Sequence, residues 1–112
     1  MTTKITWEDF EKIEMRVGTI IEVNDFPKAR KPAYQLTIDF GSEIGIRKSS
    51  AQITTRYSKE VLLNRQVVAV VNFPEKQIAN FKSQCLVLGV VNGTDVILLE
   101  PGAPVQNGLR IG

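Results

Sequence analysis

The chain contains no histidine and only one cysteine among its 112 residues. Histidine is the commonest general base and the commonest metal ligand, so its absence argues against acid–base catalysis and against a metal centre. The sequence also has no CxxC pair, no Walker-type glycine loop and no GxSxG elbow. Lysine or paired carboxylates remain as alternative catalytic groups, but no pattern supports them. We therefore expect a protein without catalytic residues, metal or cofactor.

Long apolar runs are absent as well. No stretch approaches the roughly 20 apolar residues of a membrane span, so no membrane insertion is expected. The N-terminal stretch "MTTKITWEDFEKIEM" has no apolar h-region and is typical of mature sequence rather than a signal peptide. Cys85 lies in an apolar stretch, which favours a buried free thiol over a reactive one. These features predict a cytoplasmic protein with one domain over residues 1–112.

Charge is unevenly distributed along the chain, although the net charge is only +2. Residues 1–25 carry three cations and six acids, a net charge of −3. Residues 26–59 carry seven cations and two acids, a net charge of +5. If the fold gathers this middle third, a basic face results in spite of the balanced total.

Patterns along the chain indicate mainly strands and turns. Thr6 is placed to cap a short helix, "TWEDFEKI", with acids in its first turn, and Ser58 to cap a second helical segment within Gln52 to Asn64. Asn92-Gly93 indicates a hairpin, because both residues tolerate positive φ. The predicted strands are "MRVGTIIEV", "AYQLTIDF", "IGIRKSS", "QVVAVV", "CLVLGVV" and "DVILLE".

The order of these elements favours one fold. Three strands, a helix, two further strands and a final hairpin strand match an OB-fold, a five-stranded Greek-key β-barrel. A β-sandwich is the alternative, but it rarely places its only internal helix between the third and fourth strands. Gly18 in the first strand suggests a bulge or a sharp bend. We expect an all-β barrel with an additional short N-terminal helix and a C-terminal hairpin and tail.

The loops after the first and fourth predicted strands, "NDFPKARKPA" and "NFPEKQIANFKS", share a chemistry. Each contains Phe-Pro and several cations, and OB-folds bind oligonucleotides with these two loops. Cations would attract phosphates and exposed aromatic rings would stack on bases, so single-stranded or looped RNA is the predicted ligand. The cations expected around the groove are Lys28, Arg30, Lys31, Arg47, Lys48, Arg56, Lys76 and Lys82.

Several of these side chains have two interpretations. Phe26 and Phe73 either plug the end of the barrel or contact a ligand, whereas Phe81 is expected to be exposed because Asn80 and Lys82 flank it. Loop lysines are usually only solvated, so the prediction depends on both loops having the same pattern. A neighbouring serine pair either binds phosphate or begins the helical segment; it consists of Ser49 and Ser50.

Five stretches together resemble the CsaA family: "FEKIEMRVGTI", "FPKARKPAYQLTIDFG", "RKSSAQIT", "VVNFPEKQIANFKS" and "LVLG". The resemblance covers nearly the whole chain. It extends more distantly to the C-terminal tRNA-binding domain of some methionyl-tRNA synthetases. The CsaA family is described as secretion-related chaperones on a tRNA-binding OB domain. The resemblance therefore implies no catalysis, a homodimer, and tRNA and unfolded secretory precursor proteins as partners.

The tRNA-binding members carry a pattern like "VNLxPRKxxGxxSxGM" where this chain has Val71 to Leu86. Asn72 and Ser83 keep that pattern and are implied to contact nucleic acid. Glu75 stands where an arginine is common, and Leu86 where the tRNA binders often have Met. The resemblance thereby favours Leu86, with Phe26, Phe73 and Phe81, as contacts for apolar peptide segments.

The two ends of the chain support the dimer independently. Each carries apolar residues without an obvious partner in one small barrel, and isologous burial across a two-fold axis would cover both. The alternative is that both ends fold over their own barrel. The predicted dimer contacts are Trp7, Phe10, Ile13, Val105, Leu109 and Ile111.

Overall fold

The computed structural model describes residues 3–112, which fold into a mostly β structure. Met1 and Thr2, which begin the stretch predicted to be mature sequence, lie outside the described residues. Within residues 3–112, no helix is long and apolar enough to cross a membrane. The elements are α1 Trp7–Glu11, β1 Met15–Asp25, β2 Tyr34–Asp39, β3 Ile46–Ala51, α2 Lys59–Leu62, β4 Gln66–Val70, β5 Lys76–Ile78, β6 Phe81–Ser83, β7 Leu86–Val87, β8 Gly89–Asn92 and β9 Asp95–Leu98.

Five strands form an antiparallel sheet in the order β3-β2-β1-β4-β7. The sheet curls so that the outer edge of β3 meets residues 83–85, which makes the barrel nearly closed. Leu36, Ile38 and Phe40 are fully buried in the barrel core, as the alternation in this stretch predicts. Helix α2 lies between β3 and β4. The predicted OB-fold is confirmed.

Both predicted helix caps are present. Thr6 forms a capping box with Asp9, in which each side chain accepts a hydrogen bond from the backbone of the other. The Ser58 hydroxyl accepts from the backbone N–H of Val61. The second helical segment is shorter than predicted, because residues 54–56 form a turn. The consecutive threonines 54 and 55 explain this, since β-branched side chains disfavour the helix.

The irregularity predicted at Gly18 lies elsewhere in β1. The register with β2 shifts between Ile20 and Glu22, so Ile21 is the bulged residue. Gly18 instead allows close packing: a Cβ there would lie 2.6 Å from Cγ2 of Ile38 and 2.7 Å from the ring of Phe40. The glycine is needed because the core on this face leaves no room for a methyl group.

The last third of the barrel differs in detail from the prediction. The stretch "CLVLGVV" is two strands, because β7 pairs with β4 while β8 turns away to pair with β9. The predicted hairpin is present, but its two-residue turn is Gly93-Thr94, with Asn92 still in β8. Gly93 has φ +61°, the positive value that the first turn residue of a type II′ hairpin requires.

The two ends of the chain lie side by side. The tail runs along β1, where the Gly108 N–H donates to Val17 and the Ile111 N–H to Met15. A hydrogen bond from the Arg110 guanidinium to the carbonyl of Glu11 joins the tail to α1. The backbone of the tail therefore does fold onto its own barrel, but apolar side chains at both ends stay exposed. They include Trp7 (85 % exposed), Leu109 (50 %), Ile13 and Val105, while Phe10 and Ile111 are half-buried.

Candidate functional site

The loop after β1 and the strand β5 enclose a basic depression, here called the basic half. Its volume is about 690 Å³, and it combines four of the eight predicted cations. Within residues 3–112, no carboxylate lies within 4.0 Å of these cationic groups. Uncompensated like charges around one concave surface favour an anionic ligand. The four cations are Lys28, Arg30, Lys31 and Lys76.

A second, apolar depression adjoins it, here called the apolar half. It has a volume of about 870 Å³ and lies between the end of β3, residues 73–78 and β7. Phe73 is 55 % exposed and Leu86 is 48 % exposed, so both offer apolar surface to a ligand. The remaining apolar wall includes Ile53, Pro74, Val87 and Leu98.

The two halves form one groove, because five residues line both of them. They come from the end of β3, the residue just after it, and strand β5, so the boundary between apolar and basic surface lies between these two strands. Lys76 is common to both halves and places a cation directly at the boundary. A ligand that extends along this groove contacts apolar surface in one half and positive charge in the other. The shared residues are Ser50, Gln52, Lys76, Gln77 and Ile78.

The other four predicted cations lie outside the basic half. The Arg47 guanidinium donates to the carbonyl of Val71 at 2.7 Å, next to the loop that carries Phe73. Lys48 and Lys82 are exposed and line neither half.

The prediction that Arg56 belongs to the groove needs correction. Its guanidinium makes two 2.8 Å hydrogen bonds to the carboxylate of Asp95 on β9. That contact raises the pKa of Arg56 and lowers the pKa of Asp95. The cation predicted for a phosphate is thus already paired.

The predicted exposure of Phe81 is wrong. Phe26 and Phe81 are 4 % and 9 % exposed, and their ring centroids lie 5.4 Å apart in a small cluster with Ala33. The ring of Phe81 is directed inward while the next residue of β6, Lys82, is exposed, because successive side chains of a strand lie on opposite faces. Neither ring presents a free face to a base or a peptide. Of the three loop phenylalanines, Phe73 alone keeps its predicted access to a ligand.

Three polar residues of the predicted site make hydrogen bonds within the protein: Ser49, Asn72 and Ser83. Ser49 is buried, and its hydroxyl donates to the carbonyl of Ser50, so its predicted contact with phosphate is contradicted. The amide of Asn72 donates to the carbonyl of Lys12 and accepts from the N–H of Glu14, which fixes the segment before β1.

Ser83 accepts from the N–H of Ser50 at 3.1 Å and lines the apolar half. Ser50 lines both halves and keeps its predicted place in the site.

Sequence reasoning missed a set of contacts that closes the barrel next to the groove. The Gln84 side chain accepts from the N–H of Lys48 at 3.0 Å and donates to the carboxylate of Glu75 at 2.8 Å. The N–H of Gln84 also donates to the carbonyl of Lys48. No sequence signal could have identified Gln84, because its partners are 9 and 36 residues away. Cys85 lies beneath the apolar half, and burial raises the pKa of its thiol to about 11, as expected for an unreactive cysteine.

Comparisons with known proteins agree with this fold. A family model described as "Putative tRNA binding domain" matches residues 15–110. The methionine–tRNA ligase of Thermococcus onnurineus (strain NA1) is 39 % identical over 107 residues, which are 96 % of this chain and 14 % of that protein. The chain thus spans about a seventh of the methionine–tRNA ligases it matches.

Solved structures show a similarity over the full length. A crystal structure of the chaperone CsaA from Bacillus anthracis str. Ames is 49 % identical with a TM-score of 0.93, covering 98 % of this chain and 100 % of that one. The CsaA chaperone protein from Picrophilus torridus is 53 % identical with a TM-score of 0.91, covering 97 % and 100 %. The chain belongs to the tRNA-binding domain family. Within it, the resemblance to the CsaA proteins noted from the sequence is confirmed.

Proposed function

We propose that this protein binds tRNA or structured RNA, without catalysis, through the basic half of the groove. The observation that carries the proposal is the set of four cations in one depression, which have no carboxylate partner within residues 3–112, together with the exposed ring of Phe73 in the adjoining half. Phosphates would be bound by the cations, and an unstacked base would lie against the phenylalanine. Because tRNA acts in the cytoplasm, we propose that compartment for the protein as a single-domain unit over residues 1–112.

The test is the salt dependence of tRNA affinity. Four phosphate contacts predict a slope of about −3 for the logarithm of the association constant against the logarithm of salt concentration. Fluorescence anisotropy with labelled bulk tRNA at several potassium chloride concentrations would measure it. A tRNA affinity that does not change with salt would contradict the proposal.

A second function is favoured by the apolar half. We infer that Phe73 and Leu86 hold extended apolar segments of unfolded secretory precursor proteins, in the manner of an export chaperone. Such binding is expected to resist salt and to show a negative heat-capacity change, because it buries apolar surface. Competition between bulk tRNA and an unfolded precursor at two salt concentrations separates the functions. If both ligands bind simultaneously without competition, they do not share the groove.

We further propose that the protein is a homodimer joined through α1 and the tail. The adjacent exposed side chains of Trp7, Leu109 and Ile13 support this assembly. Two copies would present two grooves, so that one long ligand contacts both. Sedimentation is expected to give twice the chain mass of 12.5 kDa at micromolar concentration. A monomer under those conditions would contradict the proposal.

A further inference from the structure

The outer edge of β3 has a hydrogen-bonding row that reaches into the groove. Backbone groups in an antiparallel pair point alternately toward and away from the partner strand. Lys48 bonds to Gln84 through its N–H and its carbonyl, so its backbone faces away from β2. Ser50, two residues on, also points outward, because its N–H donates to Ser83. Gln52, the first residue after β3, is next in line along this edge.

Residues 83 and 84 close this row only in part. The backbone N–H of Gln84 donates to the carbonyl of Lys48, the Gln84 side chain accepts from the N–H of Lys48, and the Ser83 hydroxyl accepts from the N–H of Ser50. Beyond that point, the carbonyl of Ser50 accepts only the hydroxyl of Ser49. Within residues 3–112, the backbone N–H and carbonyl of Gln52 make no hydrogen bond. The row is therefore open where it borders both halves of the groove.

Strand β5 also lines the groove and has an open edge. Ile78 and Phe81 are paired across the two-residue loop of the β5–β6 hairpin, so they exchange hydrogen bonds with each other. Gln77 alternates with them, and its backbone N–H and carbonyl point away from β6. Gln77 lines both halves of the groove. Unpaired strand edges of this kind are templates for an additional strand.

We propose that the groove binds an extended polypeptide segment as an added β-strand, paired with Ser50 and Gln52. This rests on the peptide-holding function proposed above and specifies its mode. Main-chain hydrogen bonds would supply affinity independent of sequence, and alternate side chains would enter the groove. On that face, apolar side chains lie in the apolar half, and acidic side chains follow in the basic half, against Lys28, Lys31 and Lys76. RNA cannot replace this ligand at the strand edge, because it lacks alternating N–H and carbonyl groups.

The probe is the fluorescent peptide acetyl-Thr-Val-Thr-Val-Ser-Glu-Ser-Asp-amide, together with its reversed sequence, since the groove can be entered in either direction. Each backbone amide is N-methylated in turn, which removes one donor. We expect losses of about tenfold at the two amides that face the carbonyls of Ser50 and Gln52, which are two residues apart in the peptide, and little change at the amide between them. Losses without this period of two would overturn strand addition.

On the protein, Gln52→Pro removes the open N–H, and Gln52→Ala is the matched control for the side chain. We expect Gln52→Pro to weaken peptide binding about tenfold and Gln52→Ala less than twofold, because only proline removes the backbone donor. Equal binding by the two variants would overturn the proposal. If Gln52→Pro does not fold, the methylation series decides. If the unchanged protein binds no peptide at all, the chaperone function fails as well, which distinguishes that failure from a wrong binding mode.

Discussion

Replacing Lys28 and Lys31 with glutamine is expected to weaken tRNA binding about 20-fold at 0.15 M salt. Both side chains line the basic half and are exposed, so their loss removes two phosphate contacts without disturbing the core. The slope of log affinity against log salt should become shallower by roughly two units. Anisotropy titrations at several salt concentrations would measure the affinity and the slope together.

The matched control is the variant Lys4→Gln with Lys12→Gln. It changes the net charge by the same amount, at two exposed residues that line neither half of the groove. We expect less than a threefold loss of tRNA affinity, because only the general field of the protein changes. If the control loses as much as the groove variant, net charge rather than the groove determines RNA binding.

The parts of the fold that depend on neighbouring residues could be predicted from the sequence. The caps at Thr6 and Ser58 need only a side chain three residues from its partner. The inward face of β2 follows from strict alternation, since the side-chain period of a strand is two residues. The order of strands and helices then leaves few topologies, and the OB-fold is one of them.

The candidate site was harder to predict because its parts pack over long distances in the chain. Phe81 was expected to be exposed on the evidence of its neighbours, yet its partner Phe26 is 55 residues away. The strand β6 that directs it inward has only three residues, too short to show a period. Arg56 and Asn72 likewise have partners that the barrel brings to them. Only the prediction that cations of the two loops lie around one depression could be made from the fold class alone.

The buried pair of phenylalanines should be the structural link between the two binding loops. We expect Phe81→Ala to lower the free energy of unfolding by about 3 kcal/mol, because it leaves a cavity beside Phe26 and Ala33. The cluster joins the loop after β1 to the β5–β6 hairpin. Both tRNA and peptide binding should therefore weaken as this loop, one wall of the basic half, moves away from the hairpin. Guanidinium chloride unfolding curves and the two binding assays would measure these effects.

Phe73→Ala is the control of the same chemistry in the same loop. Its ring is 55 % exposed, so unfolding should change by less than about 0.5 kcal/mol. Peptide affinity is nevertheless expected to fall about tenfold, since a bound segment would bury the exposed part of the ring. Thus the Phe81 substitution should lower both stability and binding, whereas the Phe73 substitution should lower binding alone. Equal unfolding curves for the two variants would contradict this division, because they would mean that Phe81 does not hold the loops together.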